Sequence, residues 1–599
     1  MAEDPVDAVD IEKLPLEQNA ETACTPDSNN HSPSDDNQPA WKRHMKAFEQ
    51  QLVAYNFEER GIRRVEPTER HDLRTLGFTQ IFILWFSINL AANNITLGML
   101  GPVVFSLSFL DASLCAVLGM LVGCLPVAYQ AAMGPRSGNR TMIIARYAMG
   151  WWPSKLVVIL NIIVLLGYSM IDCVVAGQIL SAVSPNGSLS VIVGIVIVAV
   201  LTWMITTFGY SYFHYYERVA WIPQLIVYCI LAGVAGPKFS ISTPSQVSGT
   251  TLVGNRLSFF SLCLSAAITY AGAGADYFVY YPENTPGWKV FALTMSGLSL
   301  SFTFAFVLGI GLASGTSTDA SWSSAYGVSQ GALIVEAFQP LGSFGSFCSV
   351  VVALGLVANL IPPSYSSGVD FQTLGRHFLR VPRAVWNTVG VVIYAVCAIA
   401  GRASLAEIFT NFLALMGYWV SIWTAISLEE QFIFRWRKPE GDRGYVWSSW
   451  NQRDKLPIGI AALVAFLVGW AGAILCMAQV WYTGPISRLV GEYGGDVSST
   501  DFYISELMLT LQRRWVTTLD LHGLLWCFRL CDGLNYANLG DDELPRRVFV
   551  LAEVIHDETG TLIHQPRSWS FFTSPSYMIH GNSTNHDVEQ LDLFSIELF

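Results

Sequence analysis

Four places in this 599-residue chain set polar residues inside stretches that are otherwise apolar. Asp172 closes the run Gly167-Tyr-Ser-Met-Ile-Asp172. A carboxylate at mid-bilayer costs about 2.5–3.5 kcal/mol on insertion scales, so it is a candidate proton carrier or a partner for a substrate nitrogen. The runs Ala92-Asn-Asn-Ile-Thr96 and Tyr270-Ala-Gly-Ala-Gly-Ala-Asp276 carry residues that unwind a helix. Asn359 precedes Pro362 and Pro363, where proline frees backbone carbonyls and the amide offers a donor and an acceptor to a planar ligand. Tyr168 and Tyr270 adjoin these polar sites, and an aromatic pair suits stacking of a flat heterocycle. This is the chemistry of recognition and proton exchange. No nucleophile–base pair or metal-ligand spacing stands beside it, so neither an enzyme nor a cofactor or metal is expected.

These residues need helices in lipid to position them. About eleven apolar segments, each near the ~20 residues that cross a hydrocarbon core, fill Thr75 to Tyr482. The chain is 52% hydrophobic and only 13% charged, which fits an all-α polytopic membrane protein. The spans are drawn at 75–104, 112–133, 156–182, 188–208, 219–236, 257–281, 290–314, 344–372, 385–401, 406–434 and 456–482. Residues 1–70 read as a disordered, acidic, cytoplasmic tail with an amphipathic stretch at Trp41–Tyr55, residues 71–497 as the membrane domain, and 498–599 as an atypical tail. The best later apolar stretch, Trp515–Leu530, holds Asp520, His522 and Arg529, so a twelfth span is missing or degenerate. That tail reads either as a divergent extension or as a gene-model artefact such as intron read-through.

Charge orients the spans. With the N-terminus in the cytoplasm, inside loops carry Arg136, Arg140, Arg146, Lys155, Arg218, Lys289, Arg376, Arg380, Arg383, Arg435, Arg437, Lys438, Arg443, Arg453 and Lys455. Outside loops before residue 482 carry only Lys238, Arg256 and Arg402. This is a positive-inside bias. The net charge of -12, much of it in the N-terminal tail, argues against a nucleic-acid partner. The cysteines fall mostly singly inside apolar segments, without disulfide spacing, and the acidic N-terminus has no signal-peptide core.

Spans 1 and 6 are corresponding members of two five-helix halves. Interruptions in corresponding halves point to a transporter site built from inverted repeats, whereas one alone is compatible with ordinary helix packing. Breaks are expected at Asn93, Asn94, Gly272, Gly274 and Pro362. Asp276, near the inner end of span 6, is expected to be structural or a cytoplasmic gate rather than substrate-binding, and Asp172, Asp276 and Glu283 are the candidates for gating or proton coupling. Glu429 and Glu430 are expected to form a charge cluster with Arg435.

Several strings then resemble the fungal purine-cytosine permeases of the nucleobase-cation-symport-1 family. They are Gly134-Pro-Arg-Ser-Gly138, Arg146-Tyr147, Gly150-Trp-Trp-Pro153, Gly177-Gln178 and Ala275-Asp-Tyr-Phe-Val-Tyr-Tyr-Pro-Glu-Asn-Thr285. Val357-Ala-Asn-Leu-Ile-Pro362, Gly417-Tyr-Trp419, Phe432-Ile-Phe-Arg435 and Ala478-Gln-Val-Trp-Tyr-Thr-Gly-Pro485 extend the likeness, which covers about residues 55–497. The resemblance implies twelve spans in the five-plus-five arrangement of the leucine-transporter type. It implies proton-coupled uptake of cytosine and purines across the plasma membrane. The implied substrate positions are Ser87, Tyr168, Asp172, Tyr270, and Asn359 to Pro363.

The chain departs from the family pattern at those same positions. Trp is usual where Tyr168 and Tyr270 stand, Asn is usual at Asp172, and the span-8 motif reads Asn359-Leu-Ile-Pro-Pro363 in place of Asn-Asn-Ile-Pro-Asn. Losing one partner of a buried polar pair costs about 1–3 kcal/mol, enough to change which base binds. The expectation is a secondary active, proton-coupled carrier of nucleobase-like compounds with altered specificity. Alternatives are a more basic heterocycle, a pyridoxine-type vitamin, a transport-inactive paralogue or receptor, or an amino-acid permease on the same fold. Oligomeric state is left open.

Overall fold

The computed structural model describes residues 61–70, 77–208, 210–435 and 444–498. Most of the N-terminal tail, including Trp41–Tyr55, lies outside the described residues, as do Arg437, Lys438, Arg443, Trp515–Leu530 and all of the C-terminal tail beyond Ser498.

Among the described residues, nine helices are long and apolar enough to cross a membrane, and a bent pair makes a tenth crossing. The pair is α1 (Thr79–Asn89) and α2 (Ala92–Val103). Then come α3 (Phe109–Ser137), the short α4 (Thr141–Met149), α5 (Pro153–Val183), α6 (Val191–Phe208) and α7 (Tyr210–Ala235). The second half holds α8 (Gly249–Ile268), α9 (Gly287–Gly315), the short α10 (Ala320–Val328) and α11 (Gln330–Phe338), α12 (Ser343–Thr373), α13 (Arg383–Gly401) and α14 (Leu405–Phe434). The segment expected at 456–482 forms a helix of 17 residues, α15 (Ile460–Cys476). The protein is a multi-pass membrane protein.

Lipid is as apolar as leucine, so helices in a bilayer associate through close packing at small residues. Gly98 of α2 lies against the Phe306 carbonyl of α9, and Gly309 of α9 against the Ile95 carbonyl of α2. A Cβ at either glycine would overlap backbone, so both must stay bare. The broken pair, α3, α8 and α9 pack together as one group of four spans; α5, α6, α12 and α13 form a second.

Basic residues gather at one end. There Arg146 donates to the carbonyls of Trp450 (3.0 Å) and Thr373 (3.1 Å), and Lys155 donates to Thr373 O (2.5 Å). Val65 N–H donates to Gly138 O (2.9 Å), so residues 61–70 sit at this same end. Glu430 pairs with Arg435 at 2.8 Å, as the sequence led one to expect. After α15 the chain folds back, and buried Asp496 accepts a hydrogen bond from the Tyr418 hydroxyl of α14.

Candidate functional site

The first break is two residues long. Leu90 (ψ 66°) and Ala91 (φ -134°, ψ 154°) leave helical geometry and turn the chain by 57° between α1 and α2. Such a break strands backbone groups in a medium that offers no water. Asn94 supplies the repair: its side-chain amide donates to Asn89 O (2.8 Å), while its own N–H reaches Asn93 Oδ1 (2.8 Å). Asn93 and Asn94 therefore sit in the first turn of α2, just past the break. Their side chains complete it.

The second break follows α8. Thr269–Ala273 tightens into a 3-10 turn and the chain then leaves helix altogether. Gly272 and Gly274 lie buried within and just after this turn. Tyr168 of α5 fastens it from outside. Its hydroxyl donates to Ala266 O (2.9 Å) and shares a 2.7 Å hydrogen bond with Thr269 Oγ1.

Pro362 does not break its helix. α12 runs unbroken from Ser343 to Thr373 through both prolines. A proline removes an N–H and frees the carbonyl four residues back, which leaves those of Ala358 and Asn359. Packing against α5 and α13 holds the helix together, and lost ladder bonds in a membrane helix are tolerated where neighbouring helices surround it.

Asp172 lies in the middle of α5 with none of its surface exposed. It stands beside Asn93, yet neither carboxylate oxygen reaches a hydrogen-bond partner at bonding geometry. The phenols of Tyr168, Tyr228, Tyr270 and Tyr394 surround it electrostatically. Those of Tyr228 and Tyr394, and the Trp85 indole N–H, are likewise buried without a hydrogen-bond partner. Burying a polar group unpaired costs about 1–3 kcal/mol in proteins. A cluster of such groups stores hydrogen-bonding capacity that a small polar ligand can satisfy.

The aromatic residues converge as expected. Tyr270 packs against Tyr168 (centroids 5.6 Å apart, rings tilted 49°), Trp85 (6.2 Å, 87°) and Phe302 (6.1 Å, 72°). A flat ligand sandwiched between two rings needs about 7 Å, twice a contact distance of ~3.5 Å. Tyr168 and Tyr270 are closer than that, so they must part for a ligand to enter between them. Asn359 of α12 lies beside the Tyr270 hydroxyl and donates a long hydrogen bond (3.5 Å) to Asn93 Oδ1. The structure thus brings together Asp172, Asn93, Tyr168, Tyr270 and Asn359. Ser87 is half-buried on α1 before the break, and Pro363 half-buried on α12.

Asp276 stands elsewhere. Its Oδ1 accepts from Thr141 N–H (2.7 Å) and Thr141 Oγ1 (2.9 Å), with Arg140 at its side. Asp370, a carboxylate that sequence reasoning passed over, lies next to it, held by the Asn161 amide at 2.7 Å. The intramembrane-carboxylate rule that picked out Asp172 would have found Asp370, since it falls inside the span drawn at 344–372. Glu283, the third gate or proton-coupling candidate, is exposed, on a cleft of about 400 Å³ shared with Arg136 and Gln431, whereas Asp172 and Asp276 are buried.

Comparison with known proteins gives the family and the fold. The profile of the family described as "Permease for cytosine/purines, uracil, thiamine, allantoin" matches residues 67–492. The purine-cytosine permease fcyB of Emericella nidulans is 36% identical over 451 residues, 75% of this chain and 86% of that protein. The vitamin B6 transporter TPN1 of Saccharomyces cerevisiae is 33% identical over 509 residues, 77% of this chain and 86% of that one. Among solved structures, Mhp1, a nucleobase-cation-symport-1 family transporter, superposes in a closed conformation with bromovinylhydantoin bound. The TM-score is 0.55 at 14% identity, over 77% of this chain and 96% of that one. Its inward-facing conformation gives 0.57 at the same identity, over 77% and 94%. The architecture is accordingly the leucine-transporter-like inverted repeat.

Proposed function

This chain belongs to the family of permeases for cytosine and purines, uracil, thiamine and allantoin, and from that membership we propose a secondary active, proton-coupled carrier of a small nitrogen heterocycle across the plasma membrane. The N-terminus lies in the cytoplasm, at the end where the basic residues gather. The observation that carries the reading is Asp172: a fully buried carboxylate, without a hydrogen-bond partner, beside the α1–α2 break.

A heterocycle N–H donates to Asp172. The Asn93 and Asn359 amides read the neighbouring edge, and Tyr168 and Tyr270 part to stack the ring. Alternating access follows if the group containing the broken pair rocks against the group containing α5 and α12, with the substrate held between them. A proton on Asp172 enters with the substrate: the protonated carboxyl accepts the ring N–H at its carbonyl oxygen while its O–H faces a ring acceptor, so the two are bound and released together.

Cytosine and purines are the first substrates to test. A pyridoxine-type vitamin is the second, because a carboxylate in place of a neutral amide suits a more basic ring and TPN1 is among the relatives. The test is uptake of radiolabelled cytosine, adenine, hypoxanthine and pyridoxine in yeast lacking its own permeases for them, with and without a protonophore. Protonophore-sensitive uptake of one of these is expected. No uptake of any by protein that reaches the surface would overturn the reading in favour of a non-transporting paralogue or receptor.

A further inference from the structure

One buried side chain outside the presumed substrate contacts links three elements at once. Asn161 lies on α5, 1% exposed. Its Nδ2 donates to Asp370 Oδ2 of α12 (2.7 Å) and to Gly272 O in the 3-10 turn after α8 (3.2 Å). Gly272 presses so closely on the amide that a Cβ there would overlap Asn161 Oδ1. Asp370 and Gly272 belong to the two different four-span groups. The same amide therefore holds the second break against the group that does not contain it.

Around this link lie further bonds at the inner end, of which Arg140 to Tyr365 also joins the two groups. Arg140, at the turn between α3 and α4, donates to the Tyr365 hydroxyl of α12 (2.9 Å) and to the carbonyls of Asp276 (3.4 Å) and Gly61 (3.3 Å). Thr141 holds Asp276 and also accepts from Ala275 N–H (2.9 Å). Arg383 of α13 stacks over the Tyr365 ring at 4.2 Å. Gly272 is only two residues beyond Tyr270 in the same turn. A ring that moves to admit a ligand moves the carbonyl that Asn161 holds.

We propose that Asn161 is the positioning residue that ties the substrate site to the inner closure: its bond to Gly272, with Asp370 fixing the amide on its own group, holds the inner end shut, and displacement of the Tyr270 turn releases it. This rests on the reading of the chain as an alternating-access carrier. When the turn shifts, the Gly272 bond is lost first because it is the longer of the two. The Asp370 carboxylate keeps the amide on the α12 side, and the two groups part between Gly272 and Asn161.

The test measures access to the inner end without any substrate. A reporter Ala275→Cys, at a fully buried position beside Thr141, is labelled with a thiol reagent in permeabilised membranes, using the full chain and the parent protein as blank. Asn161→Ala is expected to raise the labelling rate about tenfold, the effect of losing hydrogen bonds to a charged group and a carbonyl. Asp370→Ala removes the bond that anchors the same amide, so that it no longer fixes Gly272, and is expected to do likewise, which covers failure of either variant to fold. Asp370→Asn keeps an acceptor for the amide and should stay within about twofold of the parent. Ser169→Ala, equally buried on α5 but bonded only to its own helix, should label at the parent rate. Parent-rate labelling in both alanine variants of the link would overturn the proposal, and so would an equal rise in Ser169→Ala. Labelling needs no cargo, so a chain that carries none of the tested heterocycles still reports on the lock.

Discussion

The protein buries carboxylates in two settings. Asp172 stands at the centre, with no bond to either oxygen. Asp276 and Asp370 stand together at the inner end, each held by donors at 2.7 Å and flanked by Arg140. All three are buried, yet they do different work. Saturated carboxylates tie elements together, and removing one leaves its donors stranded. An unsatisfied carboxylate contributes nothing to holding the fold. It is retained against a cost, and that is the mark of a group waiting for a ligand or a proton.

The largest predicted effect separates the two settings by stability. Asp276→Ala strands the Thr141 N–H and hydroxyl and takes from Arg140 one of the two carboxylates beside it. Breaking a buried charged network in this way costs about 3–5 kcal/mol, so surface delivery and detergent thermostability should collapse. Asp172→Ala should leave thermostability unchanged or raise it, while abolishing uptake. Equal destabilisation by the two variants would erase the distinction.

Tyr168→Phe falls between. It removes the hydroxyl that fastens Ala266 and Thr269, at a cost of about 1–2 kcal/mol. The loss should show as a raised KM for uptake with surface level near normal. A lowered surface level with unchanged KM would make Tyr168 a packing residue.

The smallest effect is at the opposite end, where Lys238 pairs with Asp319 at 2.7 Å in the open. Lys238, Ser321 and the N–H of Trp322 hold the Asp319 carboxyl below its ordinary range. A carboxylate whose folded value lies below its unfolded one adds stability above the unfolded value and loses it as pH falls toward the folded one. Wild type and Lys238→Met should thus differ slightly and by a constant amount from pH 7 to about 5, and converge below about 4. The check is thermostability against pH; a gap that widens in acid would contradict the assignment.

Both interruptions, the Tyr168–Tyr270 pairing and the burial of Asp172 within a span were legible in the sequence, because lipid makes each polar or helix-breaking residue stand out against an apolar run. Pro362 misled, because a proline weakens a membrane helix without severing it when packed neighbours surround it. Asn161 and Arg140 were not legible as a lock. Each looks like a lone polar residue on its own segment, and their partners, 209 and 225 positions away in the case of Asp370 and Tyr365, are set only by tertiary packing.

The most direct measurement compares uptake of radiolabelled cytosine and pyridoxine by wild type and Asp172→Asn, side by side at matched surface levels. If Asp172 receives the substrate's donor, restoring the family's amide should shift the cytosine-to-pyridoxine ratio about tenfold or more in favour of cytosine. An unchanged ratio at undiminished uptake would place the ligand elsewhere and contradict the account.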